Sequence, residues 1–205
     1  IFFGGIGFLV IMDVLKRRNF RKLALHSKVV LTTSIVLIVL GTVLLKFTEH
    51  ISWMGAFFHS ISARTAGFST YSIGEFTNAG LFVLCVLMFI GASPGSTGGG
   101  IKTSTFFVLA QSTRSMFSKQ AVGAFKRSIS SQNVSKAYAI SMLSALVVIV
   151  ATFLLCVLEP EFQFIQLLFE VISAFGTVGL STGITPDLSG AGKLVIILVM
   201  FIGRL

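Results

Sequence analysis

Two stretches of the chain carry nearly the same residues: Ile61-Ser62-Ala63-Arg64-Thr65-Ala66-Gly67-Phe68-Ser69-Thr70 and Ile172-Ser173-Ala174-Phe175-Gly176-Thr177-Val178-Gly179-Leu180-Ser181-Thr182. Both reduce to Ile-Ser-Ala, a short spacer, then Thr-x-Gly, an apolar residue and Ser-Thr. The chemistry open to such a stretch is that of the backbone. Small residues let peptide carbonyls line a path, and glycine permits positive φ. Carbonyl oxygens arranged in this way replace the water around a potassium ion. The expected filter segments are Thr65, Ala66, Gly67 and Phe68, and Thr177, Val178, Gly179 and Leu180. Phe68 and Leu180 are expected to pack and fix the loops rather than to ligate. A single Thr-x-Gly is as compatible with a tight turn; its duplication in one setting favours the filter.

A second stretch, Gly91-Ala92-Ser93-Pro94-Gly95-Ser96-Thr97-Gly98-Gly99-Gly100-Ile101-Lys102-Thr103, interrupts an apolar run over residues 81–110. Glycine and proline at this density end a helix. Irregular backbone at membrane depth is tolerated only when it is buried in protein or lines water. The stretch is therefore expected in the conduction path, below the filter. Gly95 and Gly100 have the spacing of a phosphate-binding loop, but Ile101 stands where that motif requires lysine, and no strand precedes it.

These segments need elements to hold them. Hydrophobic residues make up 54% of the chain and charged residues 11%, against about 25% charged in soluble domains. The mean hydropathy of +0.94 points to a polytopic membrane protein. Residues 29–47 and 137–158 are long enough to cross a hydrocarbon core. The net charge of +9 is unevenly spread. Eleven of the sixteen basic residues lie in two segments, one with Lys16, Arg17, Arg18, Arg21, Lys22 and Lys28, the other with Arg114, Lys119, Lys126, Arg127 and Lys136. Six of the seven acids lie in the alternate segments. This alternation reads as cytoplasmic basic loops beside anionic lipid, not as a nucleic-acid surface.

Met88-Phe89-Ile90-Gly91 recurs as Met200-Phe201-Ile202-Gly203, at the same 112-residue offset as the Thr-x-Gly pair. Each copy therefore reads as outer helix, short pore helix, filter and inner helix. The pore helices are expected over residues 53–63 and 162–175, too short to span. Residues 1–14 read as the tail of an earlier inner helix and 15–28 as a basic cytoplasmic loop. Residues 29–113 form one pore repeat, with a loop at 91–105, and 114–136 a second basic loop. Residues 137–205 form a second repeat whose inner helix is unfinished, so the chain is expected to be part of a longer one. Arg64, Lys102 and Arg204 are charges at membrane depth, where a cavity or partner is the rule. Arg64 is expected to bond carbonyls behind the filter, and Arg204 to sit level with the Gly-rich break. His26, His50 and His59 lack ligand spacing and read as structural; Cys85 and Cys156 read as small buried hydrophobes.

Together these residues resemble the Trk/Ktr/HKT superfamily of potassium transporters, most closely its KtrB-type bacterial membrane subunits. The most specific marks are Ser62-Ala63-Arg64-Thr65-Ala66-Gly67-Phe68, Gly95-Ser96-Thr97-Gly98-Gly99-Gly100-Ile101-Lys102-Thr103 and Phe201-Ile202-Gly203-Arg204. The resemblance implies an all-α membrane fold of four repeats around one central ion pore, of which this chain matches the third and fourth. It implies K+ as the transported ion, a homodimer in the cell membrane, and a cytoplasmic RCK-type regulatory subunit that binds the nucleotide. No organic cofactor, enzymatic activity or nucleic-acid partner is expected of this chain. It also implies a gate built from Gly95, Ser96, Thr97, Gly98, Gly99, Gly100 and Lys102, held closed by Arg204. Pro94 departs from the pattern and would stiffen the loop. Glycine at 67 and 179, rather than serine, goes with potassium over sodium in this family. The alternatives are a sodium-coupled symporter with a broken helix, which calls for inverted repeats, and a membrane phosphate-binding enzyme.

The charge asymmetry sets the orientation. In the complete protein, a cysteine replacing Ser118 is expected to react with an impermeant thiol reagent only from the cytoplasm, and one replacing Glu161 only from outside. The opposite pattern of labelling rejects this orientation.

Overall fold

The computed structural model describes residues 2–64, 66–96, 98–118, 123–124 and 127–204. Thr65, Thr97, Lys119 and Lys126, singled out above, lie outside the described residues. Two short helices open the chain, α1 (Phe2–Ile6) and α2 (Phe8–Arg17), followed by a 3-10 turn at Phe20–Lys22. The first copy then runs α3 (Leu25–Thr48), α4 (Trp53–Ser62), a 3-10 turn at Ile73–Glu75 and α5 (Asn78–Phe89). After an irregular loop, α6 (Thr103–Ser118) leads into the second basic segment. The second copy repeats the order: α7 (Ser131–Leu158), α8 (Phe164–Phe175), a 3-10 turn at Thr185–Asp187 and α9 (Gly190–Arg204).

The all-helical membrane architecture read from the sequence is the one found. A two-residue antiparallel pairing, Gly123–Ala124 with Arg127–Ser128, is a small departure within the second basic segment. α3 and α7, of 24 and 28 residues, are long and apolar enough to cross a membrane. At about 1.5 Å per residue, both exceed a hydrocarbon layer of about 30 Å. They present broad apolar faces outward, Ile35, Val36 and Val39 on α3 and Met142, Ile149 and Phe153 on α7. Exposed apolar faces of this extent suit lipid rather than water. α8 is different. Its Leu167, Phe169 and Val171 are almost wholly enclosed, beside Leu84 and Met88 of α5 and Leu155 of α7 in one core cluster. The pore helix of one copy is thus held between the outer helix of its own copy and the inner helix of the copy before it. In lipid, close packing rather than the hydrophobic effect holds such contacts together.

One polar device recurs in both copies. Glu49 ends α3, and its Oε1 accepts the amide (2.9 Å) and hydroxyl (2.7 Å) of Thr77, the residue that caps α5. Glu159 ends α7, and its Oε1 accepts the amide of Ser189 at 2.8 Å. Each hydroxyl in turn accepts the amide three residues on, Gly80 to Thr77 at 3.1 Å and Gly192 to Ser189 at 3.1 Å. A carboxylate suits the positive end of a helix dipole. Both carboxylates are buried, 8% exposed. Glycine stands at 80 and 192 because a Cβ there would run into the carboxylate. The C-terminal end of each long helix is in this way clamped to the start of the helix that follows its loop.

Removing the clamp leaves Thr77 without its charged acceptor, at a cost of about 1.5–3 kcal/mol. Glu49→Ala in the complete protein is therefore expected to lower the thermal unfolding midpoint clearly. Glu75→Ala, at an exposed position, serves as the control and stays within about 0.5 kcal/mol of the parent.

Candidate ion-conduction site

The two Thr-x-Gly segments begin where a pore helix stops. α4 ends at Ser62 and α8 at Phe175, so both helix C-termini, the negative ends of their dipoles, lie at the filter loops. The serine of each Ile-Ser-Ala shapes the loop that follows. Ser62 Oγ donates to the Phe68 carbonyl, and Ser173 Oγ donates to the Leu180 carbonyl. The backbone of the same serines receives the loop amides. Ala66 N–H donates to Ser62 O at 3.0 Å, and Val178 N–H donates to Ser173 O at 2.9 Å. The carbonyls of Phe68 and Leu180 thus have protein partners. Those of Ala66, Gly67, Thr177, Val178 and Gly179 accept no hydrogen bond from any described residue.

Gly67 and Gly179 both take positive φ, +70° and +92°. Their loops face each other. A Cβ on Gly67 would run into the Val178 carbonyl, and one on Gly179 would lie 4.0 Å from the Gly67 Cα. The two segments that share a motif therefore meet in space. In each copy the short helix reaches the serine–threonine pair that follows its Thr-x-Gly loop, both members in the second copy and Thr70 alone in the first. Glu170 accepts from Ser181 Oγ (2.6 Å), Thr182 N (2.9 Å) and Thr185 Oγ1 (2.7 Å). At the matching place in the first copy, His59 Nε2 lies 3.4 Å from Thr70 Oγ1. His59 is structural, as expected. Glu170, one of the six acids outside the basic segments, is a buried anchor.

The Gly-rich stretch is a loop that leaves and re-enters at one neck. α5 ends at Phe89 and α6 begins at Thr103. Ile101 N–H donates to Phe89 O, and Thr103 N–H donates to Ala92 O, both at 3.2 Å. Beyond the neck, three neighbours hold the loop. Gly99 N–H donates to Thr177 Oγ1 at 2.9 Å, and Gly100 N–H to Gly203 O at 3.3 Å. Ser93 N–H donates to Gly5 O at 3.1 Å, and its hydroxyl to Ile6 O. Within the loop, Lys102 Nζ donates to the Gly98 carbonyl, and Ser96 Oγ to Ser93 O at 2.6 Å. Gly95 takes φ +76° in the turn that Ser96 N–H closes onto Ser93 O, and a Cβ there would lie 3.9 Å from Leu9. Arg204 follows Gly203, so it stands next to the carbonyl that takes the loop amide.

Thr177 joins the two sites. It takes φ +50°, rare for a β-branched residue and costly by roughly 1–3 kcal/mol. That conformation accompanies the hydroxyl's bond to the loop amide at Gly99. The Arg64 guanidinium reaches back to α3, donating to the Ser34 carbonyl (3.3 Å) and to Ser34 Oγ (3.2 Å). One expectation needs correction in detail. Leu180 packs in the core as expected, 3% exposed, but Phe68 is 62% exposed. The reason is positional: Leu180 has the first copy beside it, and among the described residues no full copy precedes Phe68.

Comparison with known proteins bears on the whole chain. The family described as TrkH, cation transport protein, matches residues 1–205. Ktr system potassium uptake protein B of Vibrio alginolyticus is 42% identical over 99% of the chain, which covers 48% of that relative. The protein of the same description from Bacillus subtilis is 39% identical over 98% of the chain, again covering 48% of its own length. The crystal structure of the potassium transporter TrkH from Vibrio parahaemolyticus superposes with a TM-score of 0.76 at 20% identity, covering 99% of this chain and 47% of that one. The chain spans about half the length of the curated relatives it matches. With its duplicated helix, short helix, loop and helix, the chain belongs to the TrkH family of cation transport proteins.

Proposed function

We propose that this chain supplies two of the filter segments and the gate of a potassium uptake subunit in the cell membrane. The observation that carries the reading is the meeting of the two filter loops. Gly67 and Gly179 face each other at the ends of two pore helices, with the carbonyls of Ala66, Gly67, Val178 and Gly179 left without hydrogen bonds from described residues. A dehydrated cation is the partner that such oxygens suit. Residues 65–68 and 177–180 are two quarters of the filter in this reading, and segments outside this chain complete it. Potassium would pass down its electrochemical gradient. Both relatives described as Ktr system potassium uptake protein B support potassium as the ion.

The Gly-rich loop is the gate in this proposal. Its neck bonds let it swing without unwinding α5 or α6, and its holds are few: Thr177, Gly203 and the Gly5–Ile6 backbone. Lys102 and Arg204 add positive charge near the loop, an electrostatic barrier strengthened by low dielectric. A partner that binds better when the loop is displaced would open the path. The family resemblance names that partner as a cytoplasmic RCK-type ring on a homodimer of the complete subunit.

Two outcomes test this in the complete protein, expressed in cells that depend on it for growth at limiting potassium. Gly67→Ser places a side chain at a left-handed position and against the Val178 carbonyl. It is expected to lower potassium-over-sodium preference in rubidium-flux competition by about tenfold, roughly 1.4 kcal/mol. Unchanged competition removes Gly67 from the filter. Shortening Gly98-Gly99-Gly100, or Arg204→Ala, is expected to raise flux and weaken its dependence on the regulatory partner. Arg204→Ala leaves ion preference intact, because the filter lies elsewhere. Wild-type flux and regulation in both variants, each at normal membrane levels, makes the loop a passive break.

A further inference from the structure

The basic turn between α2 and α3 does more than set orientation. Arg17, Arg21, Lys22 and Lys28 line a cavity of about 230 Å³. The cup is built by bonds among its own walls. Arg17 Nη1 donates to the Lys22 carbonyl, Lys28 Nζ donates to Arg21 O at 2.8 Å, and Asn19 Oδ1 receives the Arg21 amide at 3.0 Å. One nearby carboxylate offsets a single one of these four positive charges. Asp13 pairs with Arg17 at 2.8 Å and already accepts from Ala24 N (2.8 Å) and Ser27 Oγ (2.7 Å). The cup therefore keeps a strong excess of positive charge.

At Leu25 the cup adjoins a second, larger cavity of about 550 Å³ between α3, α6 and α7. This one is graded. His26, Asn133 and Lys136 stand within the first two turns of α3 and α7, and Val29, Val108 and Ile140 form its apolar walls. No acidic side chain is among its described lining residues. The cavity lies along the seam of two copies that are both present here. Phe20, 47% exposed, stands at the cup's rim with the Lys28 ammonium 6.0 Å from its ring centroid.

We propose that cup and groove form one binding site for an anionic phospholipid of the cytoplasmic leaflet, with its phosphate in the cup and an acyl chain along the groove. Charge selects an anion. The apolar groove, walled by helices that span the membrane, selects a lipid over a soluble acidic partner, which could meet the cup but not the groove. Basic pockets between spanning helices on the cytoplasmic side bind anionic headgroups in this manner. The inference rests on the membrane orientation proposed above and is independent of the ion path.

Native mass spectrometry of the detergent-purified complete protein tests it, with phosphatidylglycerol, phosphatidylcholine or inorganic phosphate added at matched concentration. Retention of phosphatidylglycerol but not phosphatidylcholine is expected, and inorganic phosphate should not displace it. Arg21→Gln with Lys22→Gln, both exposed, is expected to weaken retention about thirtyfold, from two basic residues near the headgroup. Ile140→Trp fills the groove, leaves every charge in place and is expected to weaken it too. Each variant's unfolding midpoint in phosphatidylcholine reports its folding. Equal retention of the two lipids overturns the proposal, as does parent-like retention in both variants. Displacement by inorganic phosphate alone identifies a free-anion site instead. Because the readout is binding, an error in the assigned ion selectivity would leave this result unchanged.

Discussion

A peptide carbonyl at membrane depth needs a partner, and the layout of this chain follows from how each one finds it. In a helix the partner is an amide four residues on. At the end of a pore helix the helix stops, and other partners are required. Ser62 and Ser173 supply one each, to Phe68 and Leu180. The next carbonyls inward, on Gly67 and Gly179 and on the residues before them, receive none from described residues. Bare carbonyls here are costly unless a cation completes them. The same accounting runs through the Gly-rich loop, whose amides go to Phe89, Ala92, Thr177 and Gly203.

The repeat supports that arrangement by fixing where helices start. Glu49 and Glu159 tie the outer end of each spanning helix to the first turn of the inner helix. The inner helix then delivers Gly91 or Gly203 to the level of the loop. In the first copy the helix breaks into α5 and α6, with the loop between them; in the second, α9 reaches Arg204, the counterpart of Ala92 near the start of that loop. The strained Thr177 connects the Thr-x-Gly loop of the second copy to the Gly-rich loop of the first. In the proposed reading, a displacement of the loop would be felt at a filter residue, across a single hydrogen bond.

The helical membrane fold was legible because it is written in long apolar runs and in identity at a fixed offset. The pairing of Thr-x-Gly segments and of the two Met-Phe-Ile-Gly sequences needs no structure to be seen. Chemistry carried by unlike residues was hidden. His59 and Glu170 do the same job at matching places, yet share neither charge nor shape, so comparison of the copies passes over them. Glu49 and Thr77 lie 28 positions apart, and a lone acid at a helix end reads as a topology signal. Arg64 neighbours the filter in sequence, but its side chain leaves the helix end toward Ser34. The left-handed Thr177 carries no local sign either, since threonine is a poor choice for that region.

The central claim is that the loop carbonyls left without hydrogen bonds from described residues coordinate the transported ion. Anomalous scattering from crystals of the complete protein grown in rubidium measures this directly. The account predicts density between the two loops, in contact with the carbonyl oxygens of Gly67 and Val178. Ordered rubidium found only elsewhere, in a protein that still transports it, would contradict the account.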